Sequence, residues 1–333
     1  MMVAHPSFNI LRLLKTPGIG AVRVWELLEW AGNHKMGLEE VLADSKSLRE
    51  TLTESQINAL DENQQSALEE WQKLQEMQVT LLNIFDSNYP ERLRSILDKK
   101  APPILSVRGN QNLLKIPSVG FCGSRKASEK GLKTAWDCAD QLAKEGINIV
   151  SGYAAGVDMV THQAALECGG ITTVVLAEGI FNFRIKQDLK DLWDWNRVIV
   201  VSEFLPGLPW NVGYAMQRNK IICALTRAMI LIEAGVRGGS FEAGRTCLKK
   251  GLPLFTPVYQ GMPETAKGNR VLLERGARRL RKSRKTNRAN VKNVLAVVES
   301  DGAGKKGRKK VKGTGKKAAS QVALFQRNVT SRS

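Results

Sequence analysis

The chain has 333 residues, 43% of them hydrophobic, and a formal net charge of +18. That length admits two compact domains, or one large domain with appendages, and enough apolar residues for a sizeable core. No apolar run nears the ~20 residues of a membrane span, and no basic region followed by an apolar stretch opens the chain. A cytoplasmic protein is therefore expected. The five cysteines (Cys122, Cys138, Cys168, Cys223, Cys247) are scattered and never spaced as CxxC, and there are three histidines, so reduced core thiols are expected and no metal or cofactor.

Residues 8–82 read as helical, with apolar positions recurring at three and four, as in Ile10, Leu13, Leu14 and then Val24, Leu27, Leu28. Between these sits Thr16-Pro17-Gly18-Ile19-Gly20. The pattern is that of a helix-hairpin-helix, in which Gly18 and Gly20 would let the backbone approach a phosphate at the next helix's N-terminus. A small helical, SAM-like domain over residues 1–85 is expected.

From about Ile116 the period changes. Apolar runs at Ser118–Cys122, Ile147–Val150, Thr172–Leu176, Val198–Val201, Met229–Ile232 and Leu254–Phe255 alternate with helix-like stretches. Those stretches are Ser128–Lys144, Asp158–Glu167, Ile185–Trp193 and Phe241–Lys250. Strands apolar throughout, separated by helices, predict an α/β fold with a mostly parallel, doubly wound sheet covered on both faces. Such sheets bind ligands where their carboxyl-end loops converge.

Three of those loops share one chemistry. They are Gly123-Ser124-Arg125-Lys126-Ala127-Ser128, Ser151-Gly152 through Gly156-Val157-Asp158, and Gly235-Val236-Arg237-Gly238-Gly239-Ser240. Glycine opens a backbone amide to an oxygen, serine adds a hydroxyl, and arginine adds a fork matched to phosphate. Together they predict an anionic ligand with several phosphates. Gln217-Arg218-Asn219-Lys220, read as the start of a helix, would add donors to the same edge. His162, four residues after Asp158, reads as a structural contact. No Ser/His/Asp set or carboxylate pair emerges, and the protein is not expected to be an enzyme.

The charge is concentrated at the end. Residues 266–333 hold 21 Lys and Arg against three acids, while the preceding 265 hold 29 of each sign. Residues 283–333 are expected to form a basic flexible tail that neutralises a polyanion.

The ordered series Gly123-Ser124-Arg125 with Ser128, Val150-Ser151-Gly152 with Gly156-Val157-Asp158 and His162, and Ser202-Glu203-Phe204-Leu205-Pro206-Gly207 followed by Arg218-Asn219-Lys220-Ile221-Ile222 resembles the DprA/Smf family. Tyr89-Pro90-Glu91-Arg92-Leu93 and Gly268-Asn269 add lesser matches, and the likeness covers roughly residues 10–280. It implies a Rossmann-like domain, here 86–282, that binds and protects single-stranded DNA and helps load a RecA-type recombinase, as a homodimer. Matching pocket positions would be Ser124, Arg125, Gly152, Arg218, Asn219, Lys220, Gly239 and Ser240. The departures are Phe181–Lys186 in place of a Tyr-Pro and Asn, Lys220 in place of a second arginine, Gly238–Glu242 in place of Ser-Gly-Ser, and the basic tail in place of a winged helix. An alternative use of the same sheet edge is a nucleotide sensor or nucleotide phosphoribohydrolase, although Glu242 stands at the wrong spacing for the latter. Within the tail, Gln321-Val322-Ala323-Leu324-Phe325 resembles the peptide by which DNA-maintenance proteins dock on the replication sliding clamp, with Gln321, Leu324 and Phe325 as its anchors.

Overall fold

The structure is a computed structural model and describes residues 5–259, 261 and 263–303. The Gln321, Leu324 and Phe325 peptide lies outside the described residues. The described residues divide into two compact units, one up to Ser106 and one from Val107 to residue 303.

The first unit is mainly helical: α1 (Pro6–Lys15), α2 (Ala21–Asn33), α3 (Leu38–Ala43), α4 (Ser45–Thr51), α5 (Glu54–Glu62), α6 (Gln64–Glu76) and α7 (Glu91–Leu97). Pro6 opens α1 where a missing amide costs nothing, and the His5 ring accepts from the Ser7 amide at 3.2 Å. Ile10, Leu13, Val24 and Leu27 are buried as their spacing requires. The α1–α2 connection is the expected hairpin turn, with Ile19 buried and Gly18 and Gly20 exposed. The helical reading overran by one element, because Val79–Asn83 is a strand, β1. Its β-branched and leucine-rich face is buried beside α1, whose Ser7 hydroxyl donates to the Leu81 carbonyl at 2.8 Å.

After β2 (Ile104–Gly109), the second unit alternates β3 (Ser118–Cys122), α8 (Glu129–Lys144), β4 (Asn148–Ser151), α9 (Val157–Glu167), β5 (Thr172–Val175), β6 (Val198–Ser202), α10 (Val212–Leu225), β7 (Ala228–Leu231), α11 (Gly239–Lys249), β8 (Leu254–Pro257), α12 (Lys267–Glu274), β9 (Arg278–Leu280) and α13 (Lys292–Ala303). Its strands lie in the order β6-β5-β4-β3-β7-β8-β9, and every pairing from β6 to β9 is parallel. The chain winds outward from β3 to β6, then α10 returns it to β7 on the other side of β3. This Rossmann-like reversal opens a crevice at the carboxyl ends. Successive residues of β3 face opposite layers. Val119 and Phe121 pack with Ala135, Cys138 and Val157 of α8 and α9, while Gly120 faces Ile222 of α10 and Thr226 at its C-cap.

Three expectations need correcting here. Ile185–Trp193 is not an α-helix; only Gln187–Leu192 makes a short 3-10 turn. Arg218 does not start a helix but sits midway along α10, which begins at Val212. The stretch 283–303 is folded rather than a flexible tail: Ala289, Val291, Val294 and Val298 join the sheet's core. The three-and-four spacing of Val291, Val294 and Val298 is a helical stripe that the basic run before it conceals. Among the described residues, no helix is long and apolar enough to cross a membrane.

Candidate nucleic-acid interface

The turn after β3 is held from beneath by a buried carboxylate. Glu233, wholly buried at the end of β7, accepts from the Ser128 hydroxyl at 2.6 Å, the Ser128 amide at 2.9 Å and the Thr265 hydroxyl at 2.7 Å. Its own carbonyl accepts from the Ser124 amide at 2.8 Å. Ser128 Oγ accepts from the Gly131 amide at 3.1 Å and so caps α8. Ser124 Oγ accepts from the Lys126 amide at 3.0 Å, and Ser240 Oγ donates to the Gly123 carbonyl at 2.7 Å. The serines thus spend their hydroxyls on the turn itself, while Arg125 and Lys126 stand exposed at its tip. Sequence reasoning missed Glu233, although an acid closing the apolar run Ala228–Ile232 was a visible signal.

The turn after β4 encloses a second network. Ser151 is fully buried, with its hydroxyl 2.9 Å from the Phe121 carbonyl and 3.0 Å from Asp158 Oδ1, so it offers no exposed atom to a phosphate. Asp158 Oδ2 accepts from the Ala154 amide at 3.2 Å. The N-cap of α9 is Gly156. Its φ of +80° is open to glycine, and a Cβ there would stand 2.7 Å from the carbonyl oxygens of Ser124 and Arg125. Arg218 is only 6% exposed. Its Nη1 donates to the Val175 carbonyl at 2.6 Å, and its Nη2 lies 3.9 Å from Asp158 Oδ2. Burial lowers the Arg218 pKa, with Asp158 opposing. The guanidinium passes over Gly152, which explains that glycine sterically: a Cβ would fall 1.9 Å from Nη1.

His162 is the structural contact expected. Its Nε2 donates to the Gly152 carbonyl at 2.6 Å, and its Nδ1 lies 2.7 Å from the Thr172 hydroxyl oxygen, which is also 2.7 Å from the Ile149 carbonyl. Burial drives its pKa down to about 4, against a backbone hydrogen bond and Asp158 that raise it. A folded pKa below the unfolded 6.5 stabilises the fold at neutral pH, fully above pH ~6.5. That stability is lost as pH falls toward 4, by about 3 kcal/mol in total. Acid titration of His162→Gln, followed by urea melts, is expected to give a flatter decline between pH 6.5 and 4 than the native chain; an unchanged decline would reject this origin.

These turns border a cavity of about 500 Å³ at the carboxyl ends of β3, β4 and β5, lined by Arg125, Tyr153, Glu178, Arg184, Lys186, Trp210 and Arg218 among others. Lys186 Nζ donates to the Tyr153 carbonyl at 2.6 Å and lies 4.6 Å from that ring's centre. Burial lowers the Lys186 pKa. Arg184 donates to the carbonyls of Phe181 and Phe183 at 2.9 and 2.7 Å. Burial raises the pKa of Glu178, with Lys186 and Arg184 opposing. Phe183 seats this segment against Tyr153, Trp193 and Trp195, at ring separations of 5.4, 5.6 and 6.3 Å. Trp210 is 46% exposed, with the Arg125 guanidinium 5.4 Å from its ring centre.

Of the expected residues, only Arg125 and Arg218 line this cavity. Lys220 is matched to the buried Glu203 at 3.0 Å, and Asn219 donates to the Gly239 carbonyl at 3.1 Å, so both act between α10 and its neighbours. Arg237 is exposed elsewhere on the edge. Tyr153, Arg184, Lys186 and Trp210 complete the lining without having been singled out. Among the described residues, no group of three or more His, Cys, Asp or Glu is placed to hold a metal.

A family model for DNA recombination-mediator protein A matches residues 80–289. The chain is 35% identical over 198 residues to DNA processing protein DprA of Streptococcus pneumoniae, covering 59% of this chain and 69% of that protein. An X-ray structure of DprA from that organism matches with a TM-score of 0.69 and 28% identity, over 84% of this chain and 95% of that one. Protein Smf of Escherichia coli is 31% identical over 196 residues, 57% of this chain and 50% of Smf, so the match spans half of that relative's length. A DprA structure from Helicobacter pylori, described for its single-stranded DNA binding mode, shares the fold at a TM-score of 0.55 and 24% identity, over 67% of this chain and 95% of that one.

Proposed function

This chain belongs to the DNA recombination-mediator protein A family of DNA-processing proteins, and we propose that it binds single-stranded DNA in the cavity at the carboxyl ends of β3, β4 and β5. The observation that carries this reading is the meeting of cations and aromatic faces in one cleft. Arg125, Arg184, Lys186 and Arg218 supply charge for phosphates, and the exposed Trp210 beside Arg125 supplies a flat apolar face. Single strands are held by that combination, since unpaired bases stack on aromatic rings while the backbone follows cations. A duplex hides its base faces and gains only the charge.

Assistance to a RecA-type recombinase and action as a homodimer belong to the same proposal; the family's description as a recombination mediator supports the first. The protein acts by binding, and the carboxylate of the cavity, Glu178, is offset by Lys186 and Arg184.

Arg125 is the exposed cation on which the reading depends, and its removal leaves the fold intact. Arg125→Ala is expected to weaken binding of a short single strand about tenfold, or ~1.4 kcal/mol. It should also reduce the salt slope by ~0.7, with the melting temperature unchanged. Anisotropy titrations at several salt concentrations would check this; native affinity and slope in the variant would reject the cavity as the site.

A further inference from the structure

We propose that the second unit carries a second track for the nucleic-acid backbone, running from the Arg125 turn past the N-terminal half of α8 to the hairpin after β9. A single strand longer than the cavity holds would continue along it, an inference that rests on the single-strand reading above.

The sequence from Arg275 to Val298 contains nine Lys and Arg and no acid. The structure folds this stretch instead of leaving it loose. Arg278, Arg279, Arg281, Lys282, Arg284 and Lys285 are all exposed. The hairpin carrying them is closed by a bridge between Lys282 and Ala289. It is pinned to α8 by Arg288, which pairs with Asp137 at 2.5 Å and Asp140 at 2.7 Å. Arg288 offsets one of these two negative charges of α8, and Lys144, 2.7 Å from Asp140, offsets the other. Between hairpin and helix lies a groove of about 480 Å³, lined by Lys130, Lys133, Lys282 and Arg288, with Glu129 and Asp137.

The sheet's topology places this surface beside the cavity. β9 lies three strands from β3, and the intervening pairs are parallel. At ~4.8 Å per strand that is ~14 Å, with both carboxyl ends on one edge of the sheet. The start of α8, with Lys130 and Lys133, occupies the interval. Basic residues on an edge strand also prevent edge-to-edge pairing. That role suffices for Arg278 and Arg279 but not for Lys130, Lys133, Arg284 and Lys285, which lie off the strand.

The test uses the full chain with single strands of ~4 and ~16 nucleotides, the range of site sizes for one binding fold. The variant is Arg281→Ser/Lys282→Ser/Arg284→Ser, whose side chains are exposed. Expected is native affinity for the short strand, at least a tenfold loss for the long one, and a salt slope for the long strand lower by ~2, at ~0.7 per lost phosphate contact. An unchanged affinity and slope for the long strand would overturn the track. So would an equal loss for both lengths, which would assign these residues to the cavity itself. If the native chain fails to bind single strands of either length, the cavity reading falls first and the track with it.

Discussion

Replacing Gly152 with alanine is expected to abolish single-strand binding and to destabilise the second unit by about 3 kcal/mol, the low end for stranding a buried charge. The added Cβ would lie 1.9, 2.3 and 2.4 Å from Nη1, Nη2 and Cζ of Arg218. These atoms cannot yield cheaply, because the side chain is buried, bonded to the Val175 carbonyl and placed beside Asp158. Expulsion of the guanidinium leaves Asp158 without its cation and strips the cavity of its deepest positive charge. A cost of that size corresponds to a fall of roughly 10 °C in melting temperature for a unit of about 200 residues. The double variant Gly152→Ala/Arg218→Ala separates the clash from any other effect. Once the guanidinium is gone the methyl group has room, so the double variant should be scarcely less stable than Arg218→Ala alone. Additive losses would mean that Gly152 matters for another reason.

The second large effect is expected at Glu233. Glu233→Ala removes the buried acceptor for the Ser128 amide, the Ser128 hydroxyl and the Thr265 hydroxyl. Leaving those donors unpaired should cost roughly 3–5 kcal/mol and release the turn that presents Arg125. Glu233→Gln keeps the shape and one acceptor oxygen for the Ser128 amide and Thr265, while its amide nitrogen can donate to the Ser128 hydroxyl. It should recover at least half of the lost stability in urea melts and most of the short-strand affinity. If glutamine proves as damaging as alanine, the charge of Glu233 rather than its hydrogen-bond geometry holds the turn.

The sheet was legible in the sequence because parallel strands covered on both faces are apolar at every position, as Val198–Val201 and Met229–Ile232 are. What escaped was structure whose sequence carries another signal more strongly. β9 is Arg-Arg-Leu, which looks like part of a basic tail, and its pairing with β8 is non-local. The stripe of Val291, Val294 and Val298 follows directly on the cation-rich run Arg278–Arg288, so it looks like a continuation of a basic tail. α10 opens with exposed Val212 and Met216, which blur its apolar stripe. The candidate site was half legible. The Gly-Ser-Arg turn located Arg125 and the sheet edge, but a sequence does not say which way a hydroxyl turns, so Ser151 was read outward when it is buried. Arg184, Lys186 and Trp210 reach the cavity from loops distant in sequence, and the ring cluster around Phe183 that seats one of those loops has no local pattern.

A single strand held in the cavity between the turns after β3, β4 and β5 would shield the backbone amides of those turns. Hydrogen exchange of the full chain, with and without a saturating single strand and with a duplex of equal length as the control, reads that shielding. Slowed exchange is expected over residues 123–128, 152–156 and 182–186 with the single strand, and markedly less with the duplex. Tight binding of the single strand with no slowing in those three segments would contradict binding in that cavity.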